Sequence, residues 1–193
     1  MCSSDLSAYT DTGIRHILAK NILPRIHIPK KDIIVIDEAQ DMTPLYFNFV
    51  VKFTLDMNHP FQLIVLGDFM QGLYEFKGAD IRFLTHADTI WKNFELLHTN
   101  EFHKCTLKMS YRITQQMADF VNKIMLGERR LHACRDGASV VYLRRSLYNA
   151  QKYVVHNIRK LIDEGLAVPS DFFILGASVK SENSPIRKIE NIL

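Results

Sequence analysis

The sequence lacks a disulfide framework, a membrane-spanning run and a strong excess of charge. Its three cysteines, Cys2, Cys105 and Cys134, are too few and too scattered for a network of disulfides, and a reducing compartment suits them better. No apolar run approaches the roughly 20 residues that cross a bilayer, so we expect no membrane partner. Because the N-terminal segment also lacks the basic and apolar regions of a signal peptide, we expect an intracellular protein of the cytoplasm or nucleus.

The charge balance excludes a protein that is basic over its whole surface. The 193 residues carry 24 Lys+Arg against 21 Asp+Glu, which gives a formal net charge of +3, and 47% of the residues are hydrophobic. This composition is typical of a globular protein and excludes a disordered tail or a fibrous repeat. Any basic surface for nucleic acid would therefore be a local patch. No feature of the sequence indicates an oligomeric state.

Apolar runs of strand length alternate with helical segments. The runs Asp32–Ile36 and Phe61–Leu66 predict two parallel strands that are buried on both faces. Thr43 and Pro44 predict the start of a helix that continues to about Asp56. The other expected elements are a short helix over Gly13–Asn21, a strand over Thr106–Met109, a helix over Thr114–Met125, a strand over Ser139–Leu143, a helix over Asn149–Glu164, a strand over Phe172–Leu175 and a helix from Ser184.

This order of elements predicts an α/β fold in which helices flank parallel sheets. The composition shifts at residues 127–130, and we place a domain boundary there, between residues 1–127 and 128–193. The second part holds only two expected strands and two expected helices, which is little for a complete domain.

Two acids follow the first predicted strand, in the segment Asp37-Glu38-Ala39-Gln40-Asp41. The carboxyl ends of parallel strands are where α/β sheets bind ligands. Nucleotide hydrolysis needs such a pair, because one carboxylate can hold Mg²⁺ and the other can deprotonate the attacking water. The alternative interpretation is an acidic turn before a helix, with Asp41 interacting with the helix dipole.

A second polar segment, Gly67–Ala79, follows the other predicted strand. We expect Asp68 and Gln71 at the same sheet edge as the first acidic pair, where the Gln71 amide could contact a γ-phosphate or its attacking water. Tyr74, Phe76 and Lys77 combine aromatic faces with a positive charge, as binding of single-stranded nucleic acid requires. Alternatively, the two aromatic side chains lie in the core and the lysine is solvated.

A third segment, Leu107–Arg112, ends in a tyrosine and an arginine. Arg112 could stabilise charge on a transferring phosphoryl group, and Tyr111 could stack on a base. Read alone, the hexapeptide is better interpreted as a surface turn that carries an arginine.

Together the three segments resemble the superfamily 1 helicases of the UvrD/Rep type. The family pattern Asp-Glu-x-Gln-Asp, its Walker B motif, is matched from Asp37. The pattern Gly-Asp-x-x-Gln-x-Ile-Tyr-x-Phe-x-Gly-Ala is matched from Gly67, with Leu73 for Ile, and Leu-x-x-Asn-Tyr-Arg is matched up to Arg112, with Ser110 for Asn. The resemblance covers residues 30–126 well, and the layout of residues 138–180 is similar to the start of the family's second RecA-like domain.

The resemblance implies an ATP-dependent DNA helicase with RecA-like domains, of which residues 1–127 are a partial first domain and 128–193 the start of a second. It implies ATP and Mg²⁺ as cofactors and single-stranded DNA as partner. The residues that it assigns to the nucleotide are Asp37 on Mg²⁺, Glu38 as catalytic base, Gln71 as γ-phosphate sensor, Arg112 on the γ-phosphate, Tyr111 on the adenine, and Gln40 and Asp68 beside them. Those that it assigns to DNA are Tyr74, Phe76 and Lys77, where lysine replaces the arginine of many relatives and makes a weaker contact.

One motif of such enzymes is missing. The chain contains no Gly-x-x-x-x-Gly-Lys-Ser/Thr segment, which would supply the backbone cradle and the lysine for the β- and γ-phosphates. We therefore expect the chain to correspond to the middle of a helicase and not to hydrolyse ATP efficiently by itself.

Two other functions fit parts of the same sequence. Asp68 followed by Glu75-Phe76-Lys77 has the Asp…Glu-x-Lys arrangement of metal-dependent nucleases. A non-catalytic remnant of a helicase that only binds DNA is the second alternative, and it predicts salt-dependent binding without ATP. The cysteines and histidines fit no common zinc module, the candidates being His98, His103, Cys105, His132 and Cys134.

Overall fold

The computed structural model of the chain describes residues 10–144, 150–176, 178–179 and 181–192. Cys2, the N-terminal segment, Asn149 and Lys180 lie outside the described residues. Contacts divide the chain into a first unit that ends at Thr106 and a second that begins at Leu107, and each is described by itself. The domain boundary after residue 127 stays a prediction.

The first unit contains four helices and two strands among its described residues: α1 (Asp11–Lys20), β1 (Ile33–Ile36), α2 (Pro44–Met57), β2 (Gln62–Val65), α3 (Arg82–Thr85) and α4 (Ala87–Ile90). The described part of the second unit contains β3 (Met109–Ser110), α5 (Gln115–Phe120), β4 (His132–Ala133), α6 (Ala150–Asp163) and α7 (Pro185–Glu190). Helices therefore alternate with short parallel strands, as expected for an α/β chain.

The strands β1 and β2 are parallel and α2 connects them, as predicted. Their register runs from Ile33 opposite Gln62 to Ile36 opposite Val65. A parallel pair needs a crossover of a dozen or more residues, which α2 supplies. The helix begins where the sequence predicts, because the Thr43 hydroxyl accepts a hydrogen bond from the Tyr46 amide at 3.3 Å. It ends at Met57, and the next residue, Asn58, adopts the left-handed conformation.

The prediction that these strands are buried on both faces is wrong for the described structure. Ile34 and Ile36 face the core, but Ile33 and Val35 are 55% and 51% exposed. Ile64, opposite Val35, is also exposed. A continuous apolar run cannot distinguish one covered face from two, and within the described residues only one face of this sheet is covered.

An aromatic cluster covers the buried face of the sheet. Trp91 is fully buried and its ring centroid lies 5.0 Å from that of Phe47 on α2. Its indole Nε1 donates a hydrogen bond to the Phe83 carbonyl oxygen at 2.7 Å. Aromatic rings in edge-to-face contact pack densely and hold one another in place. This cluster therefore holds α2 and the chain after α3 against Ile36 at the end of β1.

The second unit begins with another short parallel pair. Met109 lies opposite His132 and Ser110 opposite Ala133, so the strand expected over residues 106–109 is shorter and lies further along the chain. Between the two strands, α5 begins after the Thr114 cap as predicted and continues as a π-helix over Val121–Leu126. The pair β3–β4 was not predicted, because a two-residue strand leaves no periodic pattern in the sequence.

Two other predicted strands are wrong. Residues 139–143 and 172–175 are irregular in the structure, and Phe173 and Leu175 are 88% and 92% exposed. A strand forms only when a neighbouring strand satisfies its backbone hydrogen bonds, and these two runs have no such neighbour among the described residues. The predicted helices near them are present as α6 and as α7, which the Ser184 hydroxyl caps.

None of the helices in the described ranges is long and apolar enough to cross a membrane.

The indole hydrogen bond of Trp91 leads to the first prediction. Trp91→Phe removes the donor to the buried Phe83 carbonyl and leaves a small void, so we expect the free energy of unfolding to fall by about 2 kcal/mol. Lys92→Ala, at the exposed neighbouring position, should change it by less than about 0.5 kcal/mol. Urea unfolding followed by circular dichroism measures both variants, and equal stabilities of the two would contradict this role of Trp91.

Candidate active site

The two strands of the first unit end side by side, and the loops after them are hydrogen-bonded to each other. The Leu66 amide donates to the Ile36 carbonyl oxygen at 2.8 Å, and the Ala39 amide donates to the Leu66 carbonyl oxygen at 2.9 Å. The segment after β1 is therefore fixed directly against the segment after β2. The structure thus brings the first two polar segments together, as the sequence predicts.

The acids after β1 have an unusual backbone. Glu38 has φ 51° and ψ 41°, in the left-handed region, which is uncommon for a residue with a side chain and costs of order 1 kcal/mol. The Asp37 carboxylate accepts a hydrogen bond from the Glu38 amide through Oδ1 at 2.9 Å. Both side chains are exposed. The turn therefore presents two neighbouring carboxylates to solvent at the sheet edge.

Gln40 lies beneath these acids and uses both ends of its amide. It is only 3% exposed. Its Nε2 donates to Glu38 Oε2 at 2.5 Å, and its Oε1 accepts from the Asp68 amide at 3.1 Å. One buried side chain thus connects the carboxylate of Glu38 with the loop after β2.

Asp68 continues this connection into its own loop. Its Oδ1 accepts a hydrogen bond from the Met70 amide and its Oδ2 accepts one from Gln71 Nε2, each at 3.0 Å. The side chains of Glu38, Gln40, Asp68 and Gln71 therefore belong to one hydrogen-bonded series. This series includes four of the residues that the resemblance assigns to the nucleotide.

The alternative role for Asp41, as a partner of the dipole of the following helix, finds no support. The hydroxyl of Thr43 caps that helix, and Asp41 precedes it in a separate turn of 3₁₀-helix, Ala39–Asp41. Asp41 Oδ1 is buried and has no hydrogen-bond partner among the described residues.

The second half of the loop presents aromatic side chains to solvent. Phe76 is 80% exposed and Tyr74 is 43% exposed, so the alternative in which both lie in the core is wrong. Their ring centroids are 6.2 Å apart, and Lys77 Nζ lies 4.9 Å from the centroid of Tyr74. The three side chains form one exposed cluster of two rings and a cation, which we call the aromatic–lysine cluster.

Close contacts anchor this loop at both ends. At its start, a Cβ on Gly67 would lie 2.4 Å from Gln40 Oε1, so only glycine permits the approach of the two segments. At its end, the Asp80 amide donates to the Met42 carbonyl oxygen at 2.8 Å. Hydrogen bonds from Arg82 lower the pKa of the Asp80 carboxyl, which keeps this side chain ionised.

Tyr111 and Arg112 lie in the second unit, directly after β3. The Ser110 hydroxyl accepts hydrogen bonds from the Arg112 and Ile113 amides at 3.3 and 3.4 Å, so serine serves as the turn acceptor where the resemblance expects asparagine. The Arg112 carbonyl accepts a hydrogen bond from Arg135 Nη2. Both Tyr111 and Arg112 are exposed, and their side chains are open to a ligand.

The carboxylate oxygens at this site suit Mg²⁺ better than they suit a metal whose ligands all come from the protein. In the described part of the chain, no group of three or more His, Cys, Asp or Glu side chains is arranged to hold an ion. Mg²⁺ is commonly bound by one or two carboxylates together with water and substrate phosphates. The exposed carboxylate of Asp37 is a donor of that kind. The nuclease alternative gains no support, since Asp68 and Glu75 belong to no such group of ligands among the described residues.

The close approach at Gly67 leads to the second prediction. We expect Gly67→Ala to force Gln40 from its position and to lower the free energy of unfolding by about 1 to 3 kcal/mol. Gly72→Ala is the matched control, because its Cβ would find its nearest neighbour at an ordinary 3.5 Å. Urea unfolding measures both, and the ¹⁵N-NMR signal of the Gln40 side-chain amide, which is remote in sequence from residue 67, reports whether Gln40 keeps its hydrogen bonds. An unchanged Gln40 side-chain signal in Gly67→Ala would contradict the close-approach argument.

Two comparisons with known proteins bear on this arrangement. Residues 13–91 match the model of the UvrD/REP helicase N-terminal domain. A curated protein of Mycoplasma capricolum subsp. capricolum, the "Probable DNA helicase II homolog", is 28% identical over 151 residues, which cover 75% of this chain and 19% of that protein. The chain thus spans about a fifth of the length of this relative. These findings confirm the resemblance to UvrD/Rep-type helicases.

Proposed function

We propose that the chain is part of an ATP-dependent DNA helicase or translocase of the UvrD/Rep type, built on RecA-like domains. The observation that carries the proposal is the hydrogen-bonded series from Glu38 through Gln40 and Asp68 to Gln71. It connects the acids after β1 with the loop that bears the aromatic–lysine cluster. A protein that couples hydrolysis to movement on a strand needs such a connection between its nucleotide and its DNA side chains. The parallel β1–α2–β2 unit agrees with a RecA-like domain.

On the nucleotide side, Asp37 is the residue that would hold Mg²⁺, and Glu38 is the general base that accepts the proton of the attacking water. Mg²⁺, when bound with ATP, would neutralise charge on the β- and γ-phosphates. We assign Gln71 to the γ-phosphate. The resemblance assigns Arg112 to the γ-phosphate and Tyr111 to the adenine, and we include both assignments in the proposal.

Gln40 and Asp68 act on the nucleotide indirectly in this proposal. Because both ends of the Gln40 amide are engaged by the protein, Gln40 positions the Glu38 carboxylate instead of binding ATP itself. Asp68 holds Gln71 in the same way. If Gln71 exchanged its hydrogen bond with Asp68 for a contact with the γ-phosphate, the loop after β2 would be released. This exchange would link the state of the nucleotide to the DNA-binding side chains.

On the DNA side, the aromatic–lysine cluster offers two ring faces for bases and one cation for a phosphate. Stacking on aromatic rings suits a single strand, because its bases are unpaired and every base has a π-face. The proposal includes slow ATP hydrolysis by the chain alone, since its 193 residues contain no Gly-x-x-x-x-Gly-Lys-Ser/Thr segment.

The metal site can be tested without hydrolysis. Mn²⁺, a paramagnetic substitute for Mg²⁺, should broaden the ¹⁵N-NMR signals of the Asp37 and Glu38 amides first, and Asp37→Asn should weaken this effect about tenfold. Asp163→Asn, at an exposed position of α6, is the control and should leave the effect unchanged. Broadening that is spread evenly over all exposed acids would contradict a metal site at Asp37. DNA binding without any such metal site would favour the alternative of a non-catalytic remnant.

The stacking role of Phe76 can be tested by fluorescence anisotropy with a labelled dT oligonucleotide. Phe76→Ala should weaken binding by about 1 to 3 kcal/mol, because one base loses its aromatic partner. Phe76→Tyr should bind as the parent does. Phe173→Ala removes an equally exposed phenylalanine of the second unit and should have little effect. Equal losses for Phe76→Ala and Phe173→Ala would contradict a specific stacking site.

A further inference from the structure

A cavity lies beside the aromatic–lysine cluster, and none of the three sequence segments assigns a ligand to it. Its volume is about 390 Å³, and its lining includes Lys77 and Gly78 from the loop, Thr43 and Asn48 from α2 and its cap, and Arg15 from α1. Gly78 has φ 87°, so the chain turns sharply where the loop borders this cavity. One wall is therefore shared with the residues that we assign to DNA.

Two positive side chains line the cavity. Arg15 is exposed, and no acidic group of the described residues forms an ion pair with it. Lys77 contacts the rings of Tyr74 and Phe76, and its ammonium group likewise has no acidic partner within the described part of the chain. Two cations that form no ion pair in the described structure attract an anion into one concavity, and an arginine can hold two oxygens of a phosphate at once.

The neutral groups at the cavity are also suited to an oxygen-rich ligand. Thr43 marks the start of α2, where the helix dipole is positive and the Leu45 amide has no partner within the helix. Asn48, one turn further on, is exposed and offers an amide donor. These groups would add hydrogen bonds to a phosphate that the two cations attract.

One acid limits the positive charge. Asp11 also lines the cavity, and its Oδ1 accepts a hydrogen bond from the Tyr46 hydroxyl at 3.1 Å. The lining therefore carries two positive charges and one negative charge. Removal of the Asp11 charge should strengthen the binding of an anion, whereas removal of either cation should weaken it.

We propose that this cavity binds a backbone phosphate of the single-stranded nucleic acid whose bases stack on Tyr74 and Phe76, with Arg15 and Lys77 as the charged contacts. The inference rests on the proposed function, and it adds α1 to the DNA-binding surface through Arg15. The connection to the stacked bases is direct, because Lys77 both lines the cavity and contacts the two rings.

The experiment measures the binding of a labelled dT oligonucleotide by fluorescence anisotropy over a series of salt concentrations. Arg15→Ala should weaken binding about fivefold at about 50 mM salt, and it should reduce the slope of log K against log salt by roughly 0.7, the value of one single-strand phosphate contact. Arg15→Lys should retain the slope and part of the affinity. Asp11→Asn, which keeps an acceptor for the Tyr46 hydroxyl, should strengthen binding about threefold because a repulsive charge is lost.

Lys20→Ala is the matched control, since it removes an exposed positive charge from the last turn of the same helix without touching the cavity. If the parent binds and Phe76→Ala weakens it, but Arg15→Ala and Lys20→Ala behave alike, the cavity proposal fails and the DNA-binding function stands. If the parent chain does not bind the oligonucleotide, the DNA-binding function itself fails. Circular dichroism of each variant verifies that the fold is retained.

Discussion

The buried amide of Gln40 is the contact on which the rest of the site depends. A polar group of a buried side chain that finds no partner costs about 1 to 3 kcal/mol. Gln40 meets this requirement by donating to Glu38 and accepting from the Asp68 amide. The two loops after β1 and β2 therefore cannot move apart without breaking a buried hydrogen bond. The absence of a side chain at Gly67 permits this arrangement, since a Cβ there would overlap the Gln40 oxygen.

Within the described residues, the sheet beneath these loops is covered on one face only. The aromatic cluster around Trp91 packs α2 against the buried face of the β1–β2 sheet and fixes the position at which β1 ends. The opposite face leaves Ile33 and Val35 in solvent. Functional loops commonly rest on rigid strands and helices, because a catalytic carboxylate must be held within a fraction of an ångström. The hydrogen-bonded series meets that need at the sheet edge, although the sheet has only two strands among the described residues.

The positive charges that we assign to nucleic-acid binding lie in one local region of the surface. A net charge of +3 is too small to attract nucleic acid to the whole surface. Lys77, however, stands between two exposed rings on one side and a cavity that also contains Arg15 on the other. Stacking and phosphate contacts would thus be provided by adjacent groups, and a single strand could use both at once. Asp11 also lines this cavity and reduces its net positive charge.

Sequence alone determined the parallel β1–α2–β2 unit, the Thr43 cap and the candidate residues, because periodicity, caps and short motifs are local patterns. It also indicated that the acids after β1 and the loop after β2 share one edge, which parallel pairing requires. Only the tertiary structure decided the left-handed backbone of Glu38, the two partners of Gln40 and the exposure of Ile33, since these depend on contacts between distant segments. The strands predicted over residues 139–143 and 172–175 failed for the same reason: a run of apolar residues becomes a strand only when a neighbour pairs with it.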